Sequence, residues 1–210
     1  MRIFNVNAYK MKRFLFAIVP WSLLLTACGA GSDEAPPAEA ATRVRPENED
    51  EWIIRLSNQL VANPTTQAER DRNAIVNYAI DSLLDVRSTP SGLFYQVLRE
   101  GEGAPLQWGD RVAVHYRGVF LEDGRLFDSS YRRDKPMEFY IGNMIDGWNE
   151  GLQLLRPGAR ALLLVPSGLA YGEAGVKKDD GEVVVPPNAV LAFEVEIVEV
   201  TERRNQEPRR

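Results

Sequence analysis

Between residues 51 and 62 the apolar side chains Trp52, Ile53, Leu56 and Leu60 recur at the spacing of one helix face, and Asn63-Pro64 ends the run. Thr66-Gln67-Ala68-Glu69 forms a capping box that opens a second helix. Its predicted apolar stripe is Val76, Ile80, Leu83 and Leu84, at i, i+4, i+7 and i+8. Thr89-Pro90-Ser91-Gly92 closes this stretch, and there the period shortens to two. Strands are predicted over residues 93–98, 111–117, 136–141, 159–165 and 190–200, with Gly101 and Gly103 ending the first and Glu122-Asp123-Gly124 turning the chain after the second. In the last strand Leu191, Phe193, Val195 and Ile197 face one side, and Ala192, Glu194 and Glu196 face the other. Such alternation describes an antiparallel sheet with one wet face. A short helix over residues 147–155 turns Trp148, Leu152 and Leu155 inward and stops at Pro157-Gly158. The expected class is α+β: one helix against an antiparallel sheet, preceded by a helical neck.

The neck, residues 50–89, is too short for a core of its own, since about 35 ordered residues bury little. Its helices should cover the following domain (90–201) or a second copy of the chain, which would give a homodimer through the neck. Ahead of it, Lys10, Lys12 and Arg13 precede a twelve-residue apolar run at 14–25, short for a bilayer span and right for a secretion signal. Leu25-Thr26-Ala27-Cys28 resembles the bacterial lipobox, in which the signal (here 1–27) is removed and the cysteine becomes the lipidated first residue. Met11-Lys12-Arg13 makes a complete charged region by itself, so Met11 is an alternative start. Residues 28–49, rich in Ala, Glu, Pro and Gly, read as a flexible tether. The expected location is the cell envelope, lipid-anchored through Cys28. Gly29, which is not an aspartate, points to the outer membrane facing the periplasm.

Composition removes more chemistry than it adds. At 210 residues, 44% hydrophobic and 26% charged, the chain has room for one full domain with appendages, or at most two small domains. A net charge of −5 excludes a nucleic-acid footprint, and the arginines of the 202–210 tail are interrupted and read as a disordered end. One histidine (His115) and one cysteine (Cys28) leave no Cys/His metal site, Cys-His dyad or disulfide to build. His115 lies in an apolar run and reads as a packed strand residue. Gly101-Glu102-Gly103 lacks the Lys-Ser/Thr of a phosphate loop. Neither metal nor cofactor is expected.

What remains is the placement of aromatics. Tyr116, Phe127, Trp148, Tyr171 and Phe193 nearly all stand beside or within two places of Gly, Asp or Pro, where a pocket wall would be, rather than deep inside apolar runs. An apolar pocket with one acid and one phenol at its rim suits an uncharged substrate.

The motifs Val114-His115-Tyr116-x-Gly118, Asp123-Gly124-x-x-Phe127-Asp128-Ser129-Ser130, Ile145-x-Gly147-Trp148-x-Glu150-Gly151, Ala170-Tyr171-Gly172 and Val185-Pro186-Pro187 occur in that order. Together they resemble the FKBP-type peptidyl-prolyl cis-trans isomerases, over residues 91–201. The resemblance implies a half-wrapped antiparallel sheet around one short helix, and rotation of X-Pro bonds in exported proteins without a cofactor. It further implies Trp148 as the floor under the proline ring, Tyr116, Phe127 and Phe193 as walls, and Met144 and Ile145 as rim. The Ile145 N–H and the Tyr171 hydroxyl become donors to bound carbonyls, and Asp128 becomes the edge carboxylate paired with Arg133. The sequence departs from the family at three places: a hairpin over 118–124 one residue longer than usual, Met137 where an aromatic wall residue is usual, and an enlarged loop over 173–185. The competing class is a chaperone or assembly factor that binds Pro-containing segments in the same pocket with little turnover.

Overall fold

The computed structural model describes residues 49–201. The expected signal, the lipidation site Cys28, the tether up to residue 48 and the tail 202–210 lie outside the described residues. In chain order the elements are α1 (Glu49–Ser57), α2 (Gln67–Asp81), β1 (Arg87–Ser88), β2 (Phe94–Arg99), β3 (Arg111–Phe120), β4 (Leu126–Ser129), β5 (Met137–Tyr140), α3 (Asp146–Gln153), β6 (Arg160–Val165), β7 (Val176–Lys177), β8 (Val183–Val185) and β9 (Leu191–Thr201). Single 3₁₀ turns occupy Ser130–Arg133 and Ser167–Leu169.

The main sheet is antiparallel throughout, in the order β1-β2-β6-β9-β3-β4. One edge of β3 pairs with β9 along its whole length, while its other edge is shared: Arg111 to Val114 pair with β5, and Arg117 to Val119 with β4. Bulges opposite Ala113/Val114 and Gly118/Val119 place one extra residue in each partner strand, Val198 in β9 and Phe127 in β4. The sheet curls around α3, burying Trp148 and Leu152 against Leu93, Leu163, Val165, Phe193 and Val195. This is the half-wrapped sheet and single central helix expected from the sequence.

The far side of the sheet is less wet than the alternation implies. Trp52 and Leu56 of α1 and Ile75, Val76 and Ala79 of α2 pack on Phe94, Leu164 and Ala192. Ala192, assigned to the solvent side, is 3% exposed because the neck helices lie over it. The neck therefore covers its own chain's sheet. Its capping box is as predicted: Thr66 Oγ1 accepts from Glu69 N–H (3.3 Å), and Glu69 Oε2 accepts from the N–H groups of Thr66 (2.9 Å) and Thr65 (2.8 Å). Those backbone donors, Thr66 first and then Thr65, hold the Glu69 carboxyl at about 2, well below its ordinary value.

Two predicted details are corrected. Helix α1 stops at Ser57, three residues short of Leu60, which is 39% exposed. The buried stripe of α2 is Asp71, Ile75, Val76 and Ala79 rather than Val76, Ile80, Leu83 and Leu84. The helix ends at Asp81 in a left-handed cap: Leu83 has φ 53°, and Leu84 N–H reaches back to Ala79 O at 2.8 Å. Leu84 is buried, but from the connection rather than the helix. The enlarged loop over 173–185 carries two short strands. β7 and β8 form a hairpin within it, closed by Lys178–Glu182 (2.6 Å) and by Gly181 N–H to Lys178 O (2.9 Å).

Candidate active site

α3 brings Trp148 to the inside of the curl, 1% exposed, with its Nε1 lacking an acceptor among the described residues. Three rings surround it. Tyr116 stands edge-on at 5.1 Å between centroids (85°), Phe193 edge-on at 5.3 Å (84°), and Phe139 tilted at 5.6 Å. Phe127 continues the wall, 5.6 Å from Phe193 and 5.1 Å from Phe120. Edge-to-face rings at these spacings attract through their quadrupoles beyond simple burial. β3 and β9 deliver Tyr116 and Phe193, and β4 delivers Phe127. They meet over Gly118, where an added Cβ would lie 2.9 Å from both Phe127 Cζ and Phe193 Cε1. Only a residue without a side chain leaves room for that wall.

The polar rim is a three-membered network. The Tyr116 hydroxyl donates to Asp128 Oδ2, Arg133 Nη2 donates to the Tyr116 hydroxyl (2.7 Å), and Arg133 Nη1 donates to Asp128 Oδ1 (3.0 Å). Burial pushes the Tyr116 phenol up to about 12, and its bond to Asp128 adds to the shift. Burial alone would raise the Asp128 carboxyl. The bonds from Tyr116, Arg133 and the Ser129 N–H (2.8 Å) outweigh it and leave the group below its ordinary value. The acid thus stays ionised and the phenol neutral across the physiological range. The two serines after Asp128 secure the backbone beneath: Ser130 Oγ accepts from Tyr116 N–H (2.9 Å), and Ser129 Oγ donates to Tyr116 O (3.2 Å). His115 is bonded to Ser130 Oγ (3.0 Å) and stacked on Tyr131 (4.9 Å), a packed strand residue as expected.

The rim loop before α3 is held from below. Asn149, 5% exposed, accepts through Oδ1 from Gly142 N–H (2.8 Å) and Met144 N–H (3.2 Å), and donates to Met144 O (2.6 Å). With that loop fixed, the Ile145 carbonyl caps α3 through Trp148 and Asn149, while its N–H finds no acceptor among the described residues. Met137, Met144 and Ile145 all pack against the same core. Tyr171 stands at the edge, 37% exposed, its phenol raised by burial and then by the Asp128 charge. On the β5 side a cleft of about 680 Å³ runs along Tyr116, Asp128 and Met137, flanked by Arg111, Arg133, Lys135, Pro136 and Glu138. Trp148 does not line it. Among the described residues no three His, Cys, Asp or Glu side chains gather into a metal site.

Of the residues singled out from the sequence, Met137, Met144 and Ile145 pack on the core, Asp128 and Arg133 bond the Tyr116 hydroxyl, and Tyr171 is linked to them only by the Asp128 charge. Tyr116, Phe127, Trp148 and Phe193 form one aromatic cup. Two that help build it were missed. Phe139 is signalled only by lying two places from Met137 on the same strand face, and Asn149 only as a polar side chain on the inward side of α3.

A family model described as FKBP-type peptidyl-prolyl cis-trans isomerase matches residues 103–198. The chain is 40% identical over 161 residues to the FKBP-type peptidyl-prolyl cis-trans isomerase FkpA of Aeromonas hydrophila, covering 72% of this chain and 58% of that protein. It is 44% identical over 115 residues to the FKBP-type 22 kDa peptidyl-prolyl cis-trans isomerase of Escherichia coli, covering 55% and 53%. The chain thus spans little more than half the length of these curated relatives. Among solved structures it is similar to FkpA from Escherichia coli, with TM-score 0.55 and 32% identity over 70% of this chain and 63% of that one. It is also similar to AtFKBP13, with TM-score 0.52 and 33% identity over 55% of this chain and 98% of that one.

Proposed function

The chain belongs to the FKBP-type peptidyl-prolyl cis-trans isomerase family, and from that premise we propose that it rotates X-Pro bonds in exported proteins within the cup around Trp148. The observation that carries the proposal is the closed set of rings, Tyr116, Phe127, Phe139, Phe193 and Trp148, beside a single acid whose charge is already matched. The rotation barrier of ~18–20 kcal/mol comes from the partial double bond of the amide. At the twisted transition state that resonance is lost, and the group is less dipolar than in either planar isomer. An apolar cup therefore disfavours the planar amide relative to the twisted one, which is differential binding of the transition state.

In this reading the proline ring lies on Trp148 and the Ile145 N–H donates to a flanking carbonyl. The Tyr171 hydroxyl holds another, so one side of the bond is fixed while the other turns. Asp128, pinned by Tyr116 and Arg133, orients the rim and takes no proton. A thousandfold acceleration needs only ~4 kcal/mol. An exchange-spectroscopy assay on a short X-Pro peptide tests it: the chain should accelerate exchange, and Trp148→Ala should remove most of that. Equal rates for both proteins at equal folded concentration would place the chemistry elsewhere.

The lipobox Leu25-Thr26-Ala27-Cys28 supports a lipid anchor at Cys28 in the cell envelope, on the periplasmic face of the outer membrane. Cys28→Ser should leave an unprocessed protein of larger mass or a soluble exported one, and a variant whose mass and membrane fractionation both match the parent would refute the anchor.

A further inference from the structure

We propose that Asp71, on the neck helix α2, is a positioning residue for Tyr171, so that the neck is a working part of the catalytic site. The inference rests on the isomerase reading above. Asp71 is 2% exposed on a helix face otherwise made of Ile75, Val76 and Ala79. A carboxylate there loses its hydration and persists only where hydrogen bonds replace the lost water. Asp71 has three. Its Oδ2 accepts from Ser167 N–H (2.8 Å) and from Ser167 Oγ–H (2.6 Å), and its Oδ1 accepts from Gln67 Nε2 (2.6 Å).

Ser167 is itself 2% exposed and opens the 3₁₀ turn Ser167–Leu169 that leads into Tyr171. Its carbonyl accepts from Ala170 N–H (3.0 Å) and Gly172 N–H (2.9 Å), the two neighbours of Tyr171. The Gly172 carbonyl in turn accepts from Asn188 N–H (2.8 Å), just past Pro186-Pro187. One carboxylate on the neck therefore holds the serine from which both sides of Tyr171 hang. That matters because Tyr171 makes no ring-to-ring contact among the described residues and is 37% exposed. With no neighbouring ring to clamp it, the place of its hydroxyl depends on the backbone on either side. Loosening the turn moves the hydroxyl relative to Trp148 while leaving the cup intact.

The test uses the full chain with Asp71→Ala, Asp71→Asn and Ser167→Ala, each also combined with Tyr171→Phe. Amide hydrogen exchange should quicken at Ala170, Gly172 and Asn188 in Asp71→Ala, with β3 and β9 amides unchanged. In the X-Pro exchange assay Asp71→Ala should lower kcat/KM about fivefold, the scale of one misplaced hydrogen bond. In the Tyr171→Phe background the same substitution should cost less than about twofold, because the group it positions is gone. Asp71→Asn keeps an oxygen acceptor for Ser167 and should retain most activity. If Asp71→Ala fails to fold, Ser167→Ala carries the same comparison from the other side of the bond. Equal losses with and without the Tyr171 hydroxyl would overturn the proposal, and so would unchanged exchange at Ala170 and Gly172. An inactive parent chain would instead overturn the isomerase reading, while the exchange measurement would still decide whether Asp71 holds the turn.

Discussion

Tyr116 is fixed at both ends: Ser129 and Ser130 hold its backbone, and Asp128 and Arg133 hold its hydroxyl. The charge state of this network sets its pH behaviour. The Asp128 carboxyl lies below its ordinary value, so its stabilising bonds are present above that value and lost as pH falls through the depressed one. The Tyr116 phenol is raised from 10.0 to about 12, so the stability of its neutral form is complete below pH 10 and lost as pH rises through about 12. Between those limits neither Asp128 nor Tyr116 changes charge. Turnover on an uncharged X-Pro peptide should be flat from about pH 5 to about pH 9, and an apparent pKa inside that window would show that a titrating group takes part. Much at this scale was legible in the sequence. Aromatics beside Gly, Asp and Pro could be read as walls, and the rings of Tyr116, Phe127, Trp148 and Phe193 do meet. The roles of Ser129, Ser130, Asn149 and Asp71 could not be read, because each depends on which distant backbone group lies opposite.

Helix α2 shows where pattern reading fails at the level of elements. A stripe through Leu83 and Leu84 assumes that the helix continues, but it closes after Asp81 with Leu83 in the left-handed region. There Leu83 N–H bonds Ile80 O (3.1 Å) and Leu84 N–H bonds Ala79 O (2.8 Å), an ending that normally uses glycine. Nothing local in the sequence announces it. Leu83 is held there by the burial of Leu84 and Val86 under the neck, at a backbone cost of roughly 1–2 kcal/mol. Leu83 is 36% exposed, so shortening it loses little packing. Leu83→Gly should therefore stabilise the protein by about 1 kcal/mol, read as a higher urea midpoint at unchanged slope. A lower midpoint would mean that the leucine side chain contributes more than its backbone costs. Strands β2, β3, β5, β6 and β9 are legible because alternation is a two-residue signal that the curled sheet keeps; β1, β4, β7 and β8, none longer than four residues, are not, and the neck's faces depend on what they cover.

Considered as a whole, the described chain has two apolar layers on opposite faces of one sheet. The inner layer, around Trp148 and Leu152, forms the cup; the outer one, around Leu56 and Ile75, covers Phe94, Leu164 and Ala192. Several strands therefore bury both faces near the neck. Phe94 and Leu164 are antiparallel partners in β2 and β6, 1% and 0% exposed. A chain beginning at residue 90 would bare both, together with Ala192 and Leu121. Re-exposing two large apolar side chains costs about 3–6 kcal/mol, against a total stability of roughly 5–15 kcal/mol for a domain. Such a chain should unfold at a markedly lower urea concentration than one beginning at residue 50, and should bind an apolar fluorescent dye that the longer chain does not. Coincident urea midpoints with no dye binding would mean that the sheet's outer face closes over without the neck, and that the two helices serve something other than its stability.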